Sequence, residues 1–219
     1  MNYFAHGRLF LDRPYFLAGT AVPDWLNVVD RKMRARSKGA LPLCEAEPPE
    51  TAEVARGIVQ HHKDDDWFHR TKAFGELSWR FTVWIRDQVG ADDGLRPSFL
   101  GHILVELLLD AELTQRNPVL LSAYYDALAK VEPTKVETAV NAIATRTSDR
   151  LAWFIERFLE VRFLEDYADD EKLTLRLNQV LQRVKLPALP GSFAPLIPTM
   201  RAEVAQRYDD LLSPEADAS

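Results

Sequence analysis

The chain has one cysteine, Cys44, among 219 residues, so it cannot form an internal disulfide and fits a reducing, cytoplasmic setting. It has no run of 18 or more apolar residues, so no transmembrane helix is expected. Its opening, Met1-Asn2-Tyr3, lacks the basic and apolar segments of a secretory signal. It also lacks a basic excess. With 27 Lys and Arg against 33 Asp and Glu the net charge is -6, the wrong sign for a protein that coats nucleic acid. No Gly-rich phosphate loop, nucleophile-elbow serine or nucleotide fingerprint is present. Cys44 lies in a proline-rich loop without a neighbouring histidine, which argues against a thiol nucleophile. Strand signals and hairpin dipeptides are nearly absent. Finally, the second half lacks histidine: all five (His6, His61, His62, His69, His102) fall at or before residue 102. Glycine is skewed the same way, with only Gly191 beyond Gly101.

What remains is 47% hydrophobic and 27% charged, a globular composition with enough apolar material for one well-cored domain. Apolar periodicity predicts an all-α, single-domain helical bundle. Helices are expected at about 2–11, 14–21, 23–29, 51–70, 72–89, 98–115, 118–130, 134–146, 149–166, 169–184 and 199–212. Pro23 is read as a break between the second and third, and residues 37–50 as a loop. The expected organisation is a metal-site helical core over 1–130, a helical scaffold over 131–212 packed on the same domain, and a flexible tail over 213–219. Trp25, Trp67, Trp79, Trp84 and Trp153 are expected in the core.

Two polar stripes stand out. In the segment Phe99 to Asp110, apolar residues occupy nearly every angular position, yet His102, Glu106 and Asp110 recur every four residues on one face. Burying carboxylates is costly unless each is paired, hydrogen-bonded or metal-bound, so the stripe is either a polar network or a ligand set. The same spacing returns in His61 and Asp65, with His69 about a turn further and Lys63 and Asp64 expected in solvent. His6, after an aromatic pair, and Asp24, at the end of the small-residue approach Ala18-Gly19-Thr20-Ala21-Val22-Pro23, complete a candidate constellation. The run Arg31-Lys32-Met33-Arg34-Ala35-Arg36-Ser37-Lys38 is the one strong basic cluster. It is either a solvated surface run or a local field that steers an anionic phosphoester or an acidic protein.

The start Met1-Asn2-Tyr3-Phe4-Ala5-His6, the approach to Asp24, Gly57-Ile58 with His61-x-x-x-Asp65, and His102 in an apolar helix come in the order found in the acyl-carrier-protein phosphodiesterase family, which the first 115 or so residues resemble. The resemblance implies a helical fold distantly similar to histidine–aspartate (HD) metal phosphohydrolases. It also implies release of phosphopantetheine from acyl carrier protein with a divalent metal, typically manganese. The stretches around Pro23-Asp24 and His102 are similar as well to zinc-dependent phospholipase C-like hydrolases. The sequence departs from the phosphodiesterase pattern at Gly101, where an acidic residue is expected, and from the phospholipase-like pattern at Glu106, where an Asp is expected.

The resulting expectation is a cytoplasmic, metal-dependent phosphoester hydrolase. Its metal ligands are His6, Asp24, His61, Asp65, His102 and Glu106, with either His61 or His62 as the ligand of that pair. Asp24 also orients water, His62 or His69 assists proton transfer, and Arg31, Lys32 and Arg34 bind substrate. The mixed ligands suit manganese, iron, nickel or zinc better than magnesium or calcium. The substrate is a carrier protein or another phosphoester, with no nucleic acid as partner. The alternative, from another class, is a non-catalytic helical binding or scaffold protein with a degenerate site.

Overall fold

A computed structural model describes residues 1–89 and 94–213, so most of the expected tail (214–219) lies outside the described residues. The described residues are all-α, with no strand among them. The helices are α1 (Tyr3–Gly7), α2 (Pro14–Val29), α3 (Ser37–Ala40), α4 (Pro49–Phe68), α5 (Lys72–Val89), α6 (Pro97–Arg116), α7 (Pro118–Leu128), α8 (Pro133–Ile143), α9 (Leu151–Val161), α10 (Asp170–Arg183), α11 (Leu196–Gln206) and α12 (Tyr208–Leu212). Proline opens α2, α4, α6, α7 and α8, where its missing N–H costs nothing and its fixed φ suits the first turn. Asn117 and Asp169 cap α7 and α10 by accepting from Leu120 and Lys172 N–H.

Two expected boundaries shift for physical reasons. Pro23 does not break the second helix: α2 runs unbroken through it. A proline inside a helix costs about 3 kcal/mol, but α2 buries Phe16, Leu17, Val22, Trp25 and Leu26. Burial of that many large side chains outweighs one lost hydrogen bond. The expected loop 37–50 contains a helical turn at Ser37–Ala40 and a 3₁₀ turn at Leu41–Leu43.

The chain forms two compact units, each built from two separate segments: Met1–Asp66 with Asn117–Phe163, and Trp67–Arg116 with Leu164–Ser219. In the first unit α2 is the central helix, packed by α1, α7, α8 and α9. In the second unit α5 and α6 form an antiparallel pair on which α11 packs, with α12 and the 3₁₀ turn Gly191–Phe193 against α5. The membership of α8 and α9 in the first unit follows from their apolar stripes, Val136, Val140 and Ile143 with Leu151, Ile155 and Phe158.

Trp25 is fully buried, edge-on to Phe158. Trp79 and Trp153, expected in the core, are 65% and 58% exposed. The buried stripe of α5 runs through Phe74, Leu77, Phe81 and Ile85, and that of α9 through Leu151, Ile155 and Phe158. Each tryptophan sits two residues past a stripe position, about 200° around the helix. Trp79→Gln and Trp153→Gln are accordingly expected to change stability by no more than about 0.5 kcal/mol, read from chemical denaturation. No described helix is long and apolar enough to cross a membrane.

Candidate functional site

The first unit holds the most convergent set of metal-binding side chains. It is assembled by a backbone contact between α2 and α4. A Cβ placed on Gly57 would lie 2.1 Å from the Phe16 carbonyl oxygen, and one on Gly19 would lie 2.3 Å from that of Val54. Only glycine allows this approach at both positions. One turn beyond Gly57, His61 meets the α2 backbone, and its Nδ1–H donates to the Thr20 carbonyl over 2.8 Å. On α1, Gly7, next to His6, leaves room for the Leu17 and Tyr124 side chains.

These contacts fix the tautomers. The His61 Nδ1 carries the proton shared with Thr20, so a neutral His61 has its lone pair on Nε2. His6 donates from Nδ1 to Asp64 Oδ2 at 3.3 Å, and Asp64 is held in turn by Gln60 at 2.8 Å. Asp64 was expected in solvent; it is buried because it serves this histidine. His6 and His61 stack with centroids 4.0 Å apart. Both Nε2 atoms face one carboxylate: His6 Nε2 lies 3.3 Å from Asp65 Oδ1, and His61 Nε2 lies 3.4 Å from Asp65 Oδ2. The buried His6 Nε2 is not aligned for a hydrogen bond there.

The two imidazole Nε2 atoms and the carboxylate converge on one another, a donor set of the kind that holds a cation. Ligand bonds of roughly 2.0–2.2 Å place neighbouring donor atoms about 3.0–3.6 Å apart, which the 3.3 and 3.4 Å separations match. The donor atoms of His6, His61 and Asp65 all lie within 4.8 Å of one another. The outer partners Thr20 and Asp64 supply the orientation that metal-ligating histidines need. The residues present therefore fit a divalent metal. Positive charge is drawn here already: the Met1 amino group sits 2.7 Å from Asp65 Oδ1. Burial alone would raise the Asp65 carboxyl, but His6, His61 and the Met1 ammonium outweigh it and hold it well below the usual carboxylate range.

A pocket of ≈ 290 Å³ opens beside this cluster, lined in part by Asp24, His61, His62 and Asp65. Asp24 lines the pocket but lies outside the ligand group. The opposite contribution is basic. Residues 33–36 run extended, pinned by Arg34 and Thr145, whose backbones bond at 3.0 Å. Met33 and Ala35 point inward, while Arg34 and Arg36 are exposed and line the pocket. Arg31 and Lys32, expected to bind substrate, are not among the lining residues; Arg36, which the alternation of apolar and basic residues could have revealed, takes their place. His62 Nε2–H donates to the Ala35 carbonyl at 2.8 Å, tying α4 to this segment and leaving the neutral ring's lone pair on Nδ1. Burial holds His62 below its ordinary pKa. Cys44 is not a nucleophile candidate: burial pushes its thiol up, and Sγ contacts the Ala40 carbonyl.

The second unit gathers the other expected ligands, His102 and Glu106, with His69 as their third member. Among the described residues the donors gather as two groups of three, His6, His61 and Asp65 in the first unit and His69, His102 and Glu106 in the second. Asp110, the last residue of the sequence stripe, is buried but belongs to neither group. Gly101 also has a packing reason: a Cβ there would lie 2.7 Å from the Ser78 carbonyl and the Thr82 hydroxyl on α5, so no acidic side chain fits. No family model, characterised protein or solved structure matches the chain.

Proposed function

We propose that the first unit is a metal-dependent phosphoester hydrolase site. The observation that carries this reading is the convergence of His6 Nε2, His61 Nε2 and Asp65 beside a pocket lined by Arg34 and Arg36. A bound manganese, iron, nickel or zinc ion would polarise a phosphoryl oxygen and acidify water. His6, His61 and Asp65 hold that ion. Arg34 and Arg36 bind the phosphoryl oxygens, since a guanidinium matches their geometry with paired N–H donors. Asp24 orients the attacking water from the pocket wall. His62, kept neutral by burial, accepts a proton at Nδ1 and returns it to the leaving oxygen. The resemblance noted in the sequence makes a phosphopantetheinyl carrier protein one substrate for trial, alongside simpler phosphodiesters and phosphomonoesters.

Protein stripped by a chelator is expected to lose hydrolysis of bis(p-nitrophenyl) phosphate, p-nitrophenyl phosphate or holo acyl carrier protein, and to regain it with manganese. Arg34→Ala and Arg36→Ala are each expected to lower kcat/KM about 10-fold, chiefly through KM, with metal content unchanged. Metal below about a tenth of an equivalent after loading, with melting unaffected by chelator, would instead assign the cluster to a polar network in a binding or scaffold protein. The pairing of the Met1 amino group with Asp65 is the observation that favours that second reading.

A further inference from the structure

We infer that His69, His102 and Glu106 form a second divalent transition-metal site, carried by the second unit and independent of the phosphoester reading. His69 Nε2 lies 2.9 Å and His102 Nε2 3.3 Å from the same oxygen, Glu106 Oε1. All three donor atoms fall within 4.8 Å of one another. The 3.3 Å separation is again that of neighbouring ligands around one ion with bonds of roughly 2.0–2.2 Å, and the 2.9 Å contact is a hydrogen bond that a shared ion would replace.

The placement is built rather than incidental. His69 stands in the turn between α4 and α5, a turn closed by Arg70 N–H to Trp67 O and Thr71 N–H to Phe68 O. Thr71 then starts α5 by accepting from Phe74 N–H. Phe74 sets both imidazoles, with its ring centroid 4.8 Å from each and at interplanar angles of 52° and 85°. His102 and Glu106 share a face of α6 at i, i+4, on the turn that Gly101 lets settle against α5. Glu106 is the least exposed member at 17%, while His69 (32%) and His102 (44%) reach further into solvent. The group therefore offers three protein ligands, an apolar wall and a path for an ion, with positions left for water or an exogenous ligand. Two imidazoles with one carboxylate select zinc, iron, nickel or manganese over calcium or magnesium.

Zinc bound at equilibrium to full-length protein, counted by elemental analysis, tests this. Wild type is expected to hold two equivalents, and H102Q/E106Q and H61A/D65N one each. His69→Gln, on a turn outside any helix, is expected to weaken the second site by at least 10-fold, and it stands in should the double variant not fold. Retention of the wild-type stoichiometry by H102Q/E106Q or of wild-type affinity by His69→Gln overturns the inference, whatever H61A/D65N does. Loss of one equivalent in H102Q/E106Q with none lost in H61A/D65N sustains it and counts against the proposed function instead.

Discussion

Asp65→Asn is expected to reduce metal-dependent phosphoester hydrolysis by at least about 10³-fold, and to weaken metal binding in the first unit by 10- to 100-fold or more. The magnitude follows from what the carboxylate does. Asp65 is the anionic member of its group, facing the Nε2 atoms of both His6 and His61. An amide of the same size keeps the shape and offers an oxygen, but it carries no charge and adds an N–H₂ that conflicts with a cation. Because the substitution is nearly isosteric, and Asp65 is partly exposed, helix content is expected to survive. Asp64→Asn is the matched control. Asp64 touches the site through His6 Nδ1, so its loss is expected to cost about 10-fold in metal affinity, the usual size of an outer-partner effect. Equal losses in the two variants would mean that the assignment of ligand and orienting partner is wrong.

The second large effect concerns stability. Gly57→Ala is expected to destabilise the protein by about 3 kcal/mol, whereas Gly75→Ala is expected to stabilise it by roughly 0.5–1 kcal/mol. The substitution is the same, and both glycines sit inside helices, α4 and α5. Only the surroundings differ. The new Cβ at 57 would meet backbone on all sides, at 2.1 Å from Phe16 O and 2.8 Å from Gly19 Cα, and backbone cannot rotate away. At 75 nothing lies within 4 Å, so alanine gains helix propensity at no steric cost. In a chain of this size a 3 kcal/mol loss corresponds to a drop in Tm of roughly 6–12 °C. Separating α2 from α4 also moves His61 from the Thr20 carbonyl, so Gly57→Ala is expected to weaken metal binding, and Gly75→Ala to leave it intact. A neutral or stabilising Gly57→Ala would contradict the described approach of the two helices.

These residues also mark what the sequence reveals and what it conceals. The all-α class is legible because periodicity, proline at helix starts and the want of strand signals agree. The i, i+4 pairs His61 with Asp65 and His102 with Glu106 are legible for the same reason: within one helix, spacing is geometry. Which pairs share a centre is a different matter, set by contacts between segments distant in sequence. His6 joins His61 through a glycine-mediated approach of α1 and α2 and of α2 and α4, and no local pattern encodes that pairing. His69 joins His102 because a turn follows α4, where the sequence suggested continued helix to about residue 70. Asp64 looks like a solvated charge beside Lys63 until its histidine partner is in place. Pro23 carries a strong local breaker signal, and only the burial of α2 reverses it. Trp79 and Trp153 differ in the opposite sense, since their size and apolar character suggest the core while their helical phase faces them out.

The most direct test of the central claim is a crystal structure of the manganese-loaded protein, with anomalous scattering used to place the ion. A manganese peak within bonding distance of His6 Nε2, His61 Nε2 and an Asp65 oxygen, facing the pocket that Arg34 and Arg36 line, is the expected result. Full loading with no peak at these three atoms, or His6 and His61 turned so that Nδ1 rather than Nε2 faces Asp65, would contradict it.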